Sequence, residues 1–152
     1  MRGDGIAEAH PVKGTVGFAL ARVCKMHRGN VAGLLAGLGL HVGQEMVLVE
    51  LWEKDGLRGG ELASRLGVEP PTVTKMLRRL EGCGLVERRP DPADARSFGV
   101  FLTEKGRALE GPVTRRWGRA QEMTLAGLDA GEREALRRLL AKARAGHDPS
   151  TN

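Results

Sequence analysis

ELASRLGVEPPTVTKMLRRLEGCGLVERRPDPADARSFGVFL, residues 61–102, contains two short amphipathic segments on either side of a tight turn, then two alternating runs around a corner rich in Pro and Asp. The segments Glu61 to Leu66 and Pro70 to Glu81 are separated by Gly67-Val68-Glu69, the spacing of two helices that meet at a large angle. Leu62, Ala63, Leu66, Val73, Met76, Leu77 and Leu80 form the apolar set such a pair needs, with the small Ala63 where the helices cross. Gly82-Cys83-Gly84 closes the second helix. Leu85 to Arg89 then alternates as an exposed strand, Pro90 to Asp94 is turn chemistry, and Ser97 to Leu102 returns as a second strand. A hairpin therefore follows the helix pair.

Towards the N-terminus, Val16, Phe18, Leu20, Val23, Met26, Val31, Leu34, Leu35 and Leu38 predict one long helix from Pro11 to about Leu38, weakened by Gly29, Gly33 and Gly37. After Gly39 to Gly43, Met46, Val47, Val49, Leu51 and Trp52 mark a second helix from Gln44 to Lys54, stopped by Asp55-Gly56. Towards the C-terminus, Thr103 is the expected N-cap of a helix from Glu104 to about Leu125, striped by Leu109, Val113, Trp117 and Ala120. Asp129 and Glu132 have capping-box spacing, and Leu136, Leu139, Leu140 and Ala143 line the last helix. The fold class expected is mainly α with a small β-hairpin wing (α+β): a winged helix-turn-helix lobe at about 43–102, flanked by dimerisation helices at about 11–39 and 104–144. Residues 11–144 are read as a single domain, with flexible ends at 1–10 and 145–152.

Lys and Arg number 24 against 19 Asp and Glu, a formal charge of +5 that favours a polyanionic partner and leaves DNA, RNA and anionic membrane open. Val31 to Leu40, the longest apolar-looking run, is far shorter than the roughly 20 residues that cross a bilayer, so no membrane span is expected. Two cysteines, Cys24 and Cys83, make no disulfide framework, and a cytoplasmic location is the default expectation. His10, His27, His41 and His147 lack metal-ligand spacing, so neither metal nor other cofactor is expected. No Gly-rich phosphate loop, Gly-x-Ser-x-Gly or His-Glu-x-x-His occurs, and carboxylates such as Asp91 and Asp94 sit in a turn where bracing explains them. The chain is therefore not read as an enzyme.

With Val73, Met76, Leu77 and Leu80 turned to the core, the other side of the second helix presents Pro71, Thr72, Thr74, Lys75 and Arg78. Lys75 and Arg78 suit guanine edges, while Pro71 and the Thr methyls suit thymine methyls in a major groove. The competing reading is a merely solvated basic face.

The runs Glu61–Val68, Thr72–Glu81, Gly84–Arg89, Asp91–Arg96 and Leu102–Gly106, in this order and spacing, resemble the MarR (multiple-antibiotic-resistance regulator) family of bacterial transcription factors. The resemblance implies a repressor that binds a palindromic operator on double-stranded DNA as a homodimer, with half-sites on the order of 10 bp apart. It also implies that the first and last two helices make the dimer, and that Arg96 of the wing, braced by Asp94, enters the minor groove with Arg88 nearby. Release by a small aromatic or phenolic effector is implied too, for which Phe18, His41, Met46 and Trp52 are the candidate cleft. Two residues depart from the pattern: Arg58 and Glu69 stand where the family usually places hydroxyl N-caps. The family's thiol sensors suggest a redox alternative for Cys24, although the position matching their sensing Cys is Gly17 and the chain has no Tyr. From a different class, a non-catalytic protein-interaction module is the remaining alternative. Steep salt dependence of binding separates DNA from a protein partner.

Overall fold

A computed structural model describes residues 9–147. Most of the two ends expected to be flexible, residues 1–8 and 148–152, lies outside the described residues. A 3₁₀ turn, Pro11–Gly14, precedes α1 (Val16–Ala36), then follow α2 (Gln44–Glu53), β1 (Leu57–Arg58), α3 (Gly59–Leu66), α4 (Pro70–Gly82), β2 (Val86–Asp91), β3 (Asp94–Leu102), α5 (Glu104–Ala108), α6 (Glu110–Thr124) and α7 (Ala130–Ala145). The architecture is helical with one small antiparallel sheet, ordered β1-β3-β2.

Local chemistry explains where the elements differ from expectation. The first helix begins at Val16, not Pro11, because the Thr15 hydroxyl accepts the Phe18 N–H at 3.1 Å and caps it there. The single helix expected from Glu104 divides at Leu109. Pro112 has no N–H to donate to the Ala108 carbonyl, and its ring crowds that oxygen. Leu57 and Arg58 form a third strand, pairing with Val100 and Gly99, which so short a segment does not betray in sequence.

Several contacts join the elements. At the end of α1 the Arg116 guanidinium of α6 donates to the Leu34 carbonyl at 2.7 Å, satisfying an orphan acceptor. A Cβ at Gly37 would lie 2.6 Å from that guanidinium, so glycine leaves room for it. Leu35, Val47, Leu48, Leu51, Leu57, Leu62, Val73, Leu77, Leu80 and Val100 form one core, shared by α1, α2, the α3–α4 pair and the sheet. The Trp52 indole N–H donates to the Gly106 carbonyl at 3.1 Å, tying α2 to α5. Asp129 and Glu132 form the expected capping box of α7, each side chain accepting the other's backbone N–H at 2.9 Å.

Alone among the long helices, α7 buries nothing: Leu139 is 57% and Leu140 44% exposed. On α1, Leu20 and Val23, which border the same cavity as Leu140, are exposed as well, as is Met26. Between α1, α6 and α7 lies an apolar cavity of about 540 Å³, lined in part by Leu20, Val23, Trp117, Leu136 and Leu140.

Candidate nucleic-acid interface

The pair α3–α4 is held at its corner by Gly67, whose φ of 65° is in the left-handed region that glycine adopts without strain. The Val68 N–H returns to the Ala63 carbonyl at 3.1 Å. Neither helix of the pair has a side-chain cap. At α4, Pro70 presets the first helical dihedral, and the Glu69 carbonyl accepts from Thr72 and Val73 at 2.9 and 3.3 Å. At α3, Glu61 does half of a capping box: its carboxylate accepts the Arg58 N–H at 2.9 Å, which holds its pKa below the usual carboxylate value. Arginine has no acceptor with which to complete the box.

Val73, Leu77 and Leu80 are buried, and Met76 is half-buried against the core. Pro71, Thr72, Thr74, Lys75 and Arg78 are all exposed on the other side of α4. The Thr74 hydroxyl donates to the Pro70 carbonyl at 3.1 Å, so outward it offers an acceptor oxygen and a methyl group rather than a free donor. Among the described residues neither Lys75 nor Arg78 has a carboxylate partner. Their charge is directed at solvent, three residues and about one turn apart along a single face.

The basic residues of the wing divide into two kinds. Arg88 is turned inward: its Nε lies 2.8 Å from a Glu81 oxygen at the end of α4, and its guanidinium sits 4.7 Å over the Phe98 ring. Arg89 pairs with Glu87 at 2.7 Å and covers Phe101 at 4.4 Å. Arg96, by contrast, is exposed and has no carboxylate partner among the described residues. Asp94 reaches Arg96 through the main chain, its Oδ1 accepting the Arg96 N–H at 3.0 Å. It fixes the backbone from which the guanidinium projects and leaves that guanidinium free. Over Lys75 to Arg96 six basic residues meet four acidic ones, and since Arg88 and Arg89 are paired, the cations without a carboxylate partner among the described residues are on the outer edge of α4 and at the wing tip.

The candidate effector residues lie on α1, on the segment before α2 and on α2. Phe18 is half-buried on α1 with the Arg22 guanidinium 5.9 Å from its ring; His41 and Met46 are exposed; Trp52 uses its N–H on Gly106. None of the four lines the cavity between α1, α6 and α7, where His27 instead meets the Thr124 hydroxyl at 3.0 Å and the edge of Trp117. Cys24 and Cys83 are both free and exposed. Among the described residues no group of three metal-ligating side chains gathers, and no helix is long and apolar enough to cross a membrane.

Sequence reasoning gives Asp91 only a bracing role within the turn. Its carboxylate accepts the Ala93 N–H at 2.8 Å inside the wing and pairs with Arg58 at the start of α3, and these contacts hold its pKa below the usual value. Only the turn half of that role is legible in Pro90-Asp91-Pro92.

The MarR family model matches residues 40–98. The HTH-type transcriptional repressor Rv2887 of Mycobacterium tuberculosis is 33% identical over 91% of this chain and 96% of its own length. The HTH-type transcriptional regulator TtmR of Methylorubrum extorquens is 41% identical over 73% of this chain, which spans 56% of that longer protein. Among solved structures, Bordetella bronchiseptica BpsR, described for regulation of its DNA binding by 6-hydroxynicotinic acid, superposes with a TM-score of 0.83 at 27% identity, covering 91% of this chain and 99% of that one. Rv2887 in complex with DNA superposes with a TM-score of 0.70 at 31% identity, covering 85% and 97%.

Proposed function

The chain belongs to the MarR family of DNA-binding transcriptional regulators, and from that premise we propose that it is a cytoplasmic repressor that binds a palindromic operator as a homodimer and is released by a small aromatic acid or phenol. The observation that carries this reading is the free, exposed cationic edge formed by Lys75 and Arg78 on α4, continued by Arg96 on the wing. In the proposed complex α4 lies in the major groove, where Arg78 or Lys75 donates to guanine O6 and N7 while Pro71, Thr72 and Thr74 contact thymine methyls and phosphates. Arg96 enters the adjacent minor groove, where a narrow A·T tract concentrates negative potential. Arg88 then acts as a brace between wing and α4, and Asp94 as the brace of the wing turn.

The dimer is proposed to form through α1, α6 and α7 within a single domain of residues 11–144. Its support is the unburied leucine stripe of α7 facing the open apolar cavity, since a soluble monomer rarely leaves so large an apolar surface uncovered. A second copy doubles the cationic edge and spaces two reading helices on one face of the duplex. The effector part of the reading is supported by the regulation of BpsR by 6-hydroxynicotinic acid.

Selection of fragments from the source genome with purified protein tests the core of the reading. The expected outcome is a recovered inverted repeat with half-sites on the order of 10 bp apart, bound with a steep negative slope of log affinity against log salt. Recovery of no enriched site together with a flat salt response would overturn it.

A further inference from the structure

Arg58 is the residue by which this chain departs from a capped α3, and its side chain has another task. Its main chain pairs with Gly99 of β3, and Gly99 in turn pairs with Arg89 of β2, so Arg58, Gly99 and Arg89 form one row across the sheet. Residues directly opposite in antiparallel strands point to the same face. The central member of the row is glycine, with the Phe101 ring lying where its side chain would stand, 2.9 Å from the position of a Cβ, and the Arg58 guanidinium crosses β3 to pair with Asp91 at the end of β2. The pairing register shifts between Pro90 and Asp91, at the point where the wing turns. Asp91 uses one oxygen on Arg58 and the other on the Ala93 N–H within that turn. A single carboxylate thus joins the start of α3 to the wing tip. Alongside is an open cleft of about 430 Å³, bordered by Gly59, Gly60, Arg96 and Phe98, so the wing is not packed tightly onto α3 there.

We infer that Arg58 is a positioning residue for the wing: paired with Asp91 across Gly99, it fixes the tilt of the hairpin against α3 and thereby where Arg96 stands relative to α4. The effect on DNA rests on the operator-binding reading above; the effect on the wing does not. A partly exposed ion pair adds little to global stability, so its consequence is in orientation and local order. Arg58 is half-exposed and retains no acceptor role at α3, which leaves the pair with Asp91 as its specific contact.

Arg58→Ala, Asp91→Asn and the double variant test this, the Asn keeping an acceptor for the Ala93 N–H. In the DNA-free protein, amide hydrogen exchange across Ser97 to Val100 is expected to quicken in all three variants, with the urea midpoint nearly unchanged. On a duplex selected by the wild-type protein from a random-sequence library, each single variant is expected to bind about fivefold more weakly. The double variant should bind no worse than either single one, with the salt slope kept. Unchanged exchange in the wing overturns the inference whether or not DNA binds. Additive losses, or a salt slope shallower by about one for Arg58→Ala alone, overturn it in favour of a direct phosphate contact. If the wild-type protein selects no duplex, the operator reading fails instead, and exchange alone decides the role of Arg58.

Discussion

Gly106 of α5 lies against Leu85 so closely that a Cβ on Gly106 would stand 2.1 Å from the Leu85 carbonyl oxygen. That oxygen also accepts the Thr103 N–H at 3.1 Å, while the Thr103 hydroxyl donates to Gly84 at 2.6 Å and the Lys105 ammonium to Cys83 at 3.0 Å. The segment Leu102-Thr103-Glu104-Lys105-Gly106 therefore seals the end of the wing onto the end of α4. Since the obstacle is backbone, Gly106→Ala cannot be relieved by a rotamer change. It is expected to lower unfolding stability by about 3 kcal/mol, measured as a shift in urea midpoint at constant slope. A cost below about 0.5 kcal/mol would mean that the two segments separate freely.

Glu45 makes stability depend on pH. It is buried at the start of α2, where its carboxylate accepts the Gly43 N–H at 2.6 Å, and burial pushes its pKa above the usual 4.5 despite opposing backbone hydrogen bonds and the charge of Arg28. A folded-state pKa above the unfolded one means the native state holds the proton more firmly, so this group's contribution falls as pH rises from 4.5 through the raised value. Glu45→Gln keeps an acceptor for Gly43 and removes the charge. Its stability relative to wild type is expected to improve with rising pH across that window and then level off. A difference independent of pH from 4 to 7, measured by urea unfolding, would show that Glu45 titrates normally.

The apolar face of α7 gives the prediction for assembly. Replacing Leu139 and Leu140 by Glu places charges in the middle of the uncovered stripe, at positions that support no core contact within the subunit. Sedimentation should shift from the proposed dimer to monomer with helical content retained. Operator affinity should fall by about 10²-fold or more, because each half-site is then bound independently. A variant that sediments as a dimer would move the interface elsewhere.

The helix pair, the hairpin, the Thr103 cap and the Asp129–Glu132 box were legible in the sequence because each is written locally, in periodicity or in cap and turn residues. The outward side of α4 was legible for the same reason: Val73, Leu77 and Leu80 fix by helical geometry which residues face out. What escaped was contact between segments distant in sequence. β1 is two residues long and exists only because β3 is beside it. Arg58 reads as a missing cap until Asp91, 33 positions away, is placed against it. Arg88 looks like another groove-facing cation until Glu81 and Phe98 are seen to hold it.

Arg78 and Arg96 are both exposed and, among the described residues, without a carboxylate partner, yet their settings predict different losses. Arg78 projects from a 13-residue helix whose opposite side is fixed in the core, so in the proposed complex its fork would meet base edges at one defined position. Arg78→Ala should weaken operator binding and relax the preference at that base pair, by about 1–3 kcal/mol of lost discrimination. Arg96 projects from beside a wing turn held through the main chain by Asp91 and Asp94, and a guanidinium there senses groove width and potential rather than a donor pattern. Arg96→Ala should leave the central preference intact, abolish any advantage of A·T-rich flanks, and make the salt slope shallower by about one. Binding titrations on operators differing only in the flank or only in the centre separate the two. An Arg96→Ala protein that still favours A·T flanks would remove the wing from the minor groove.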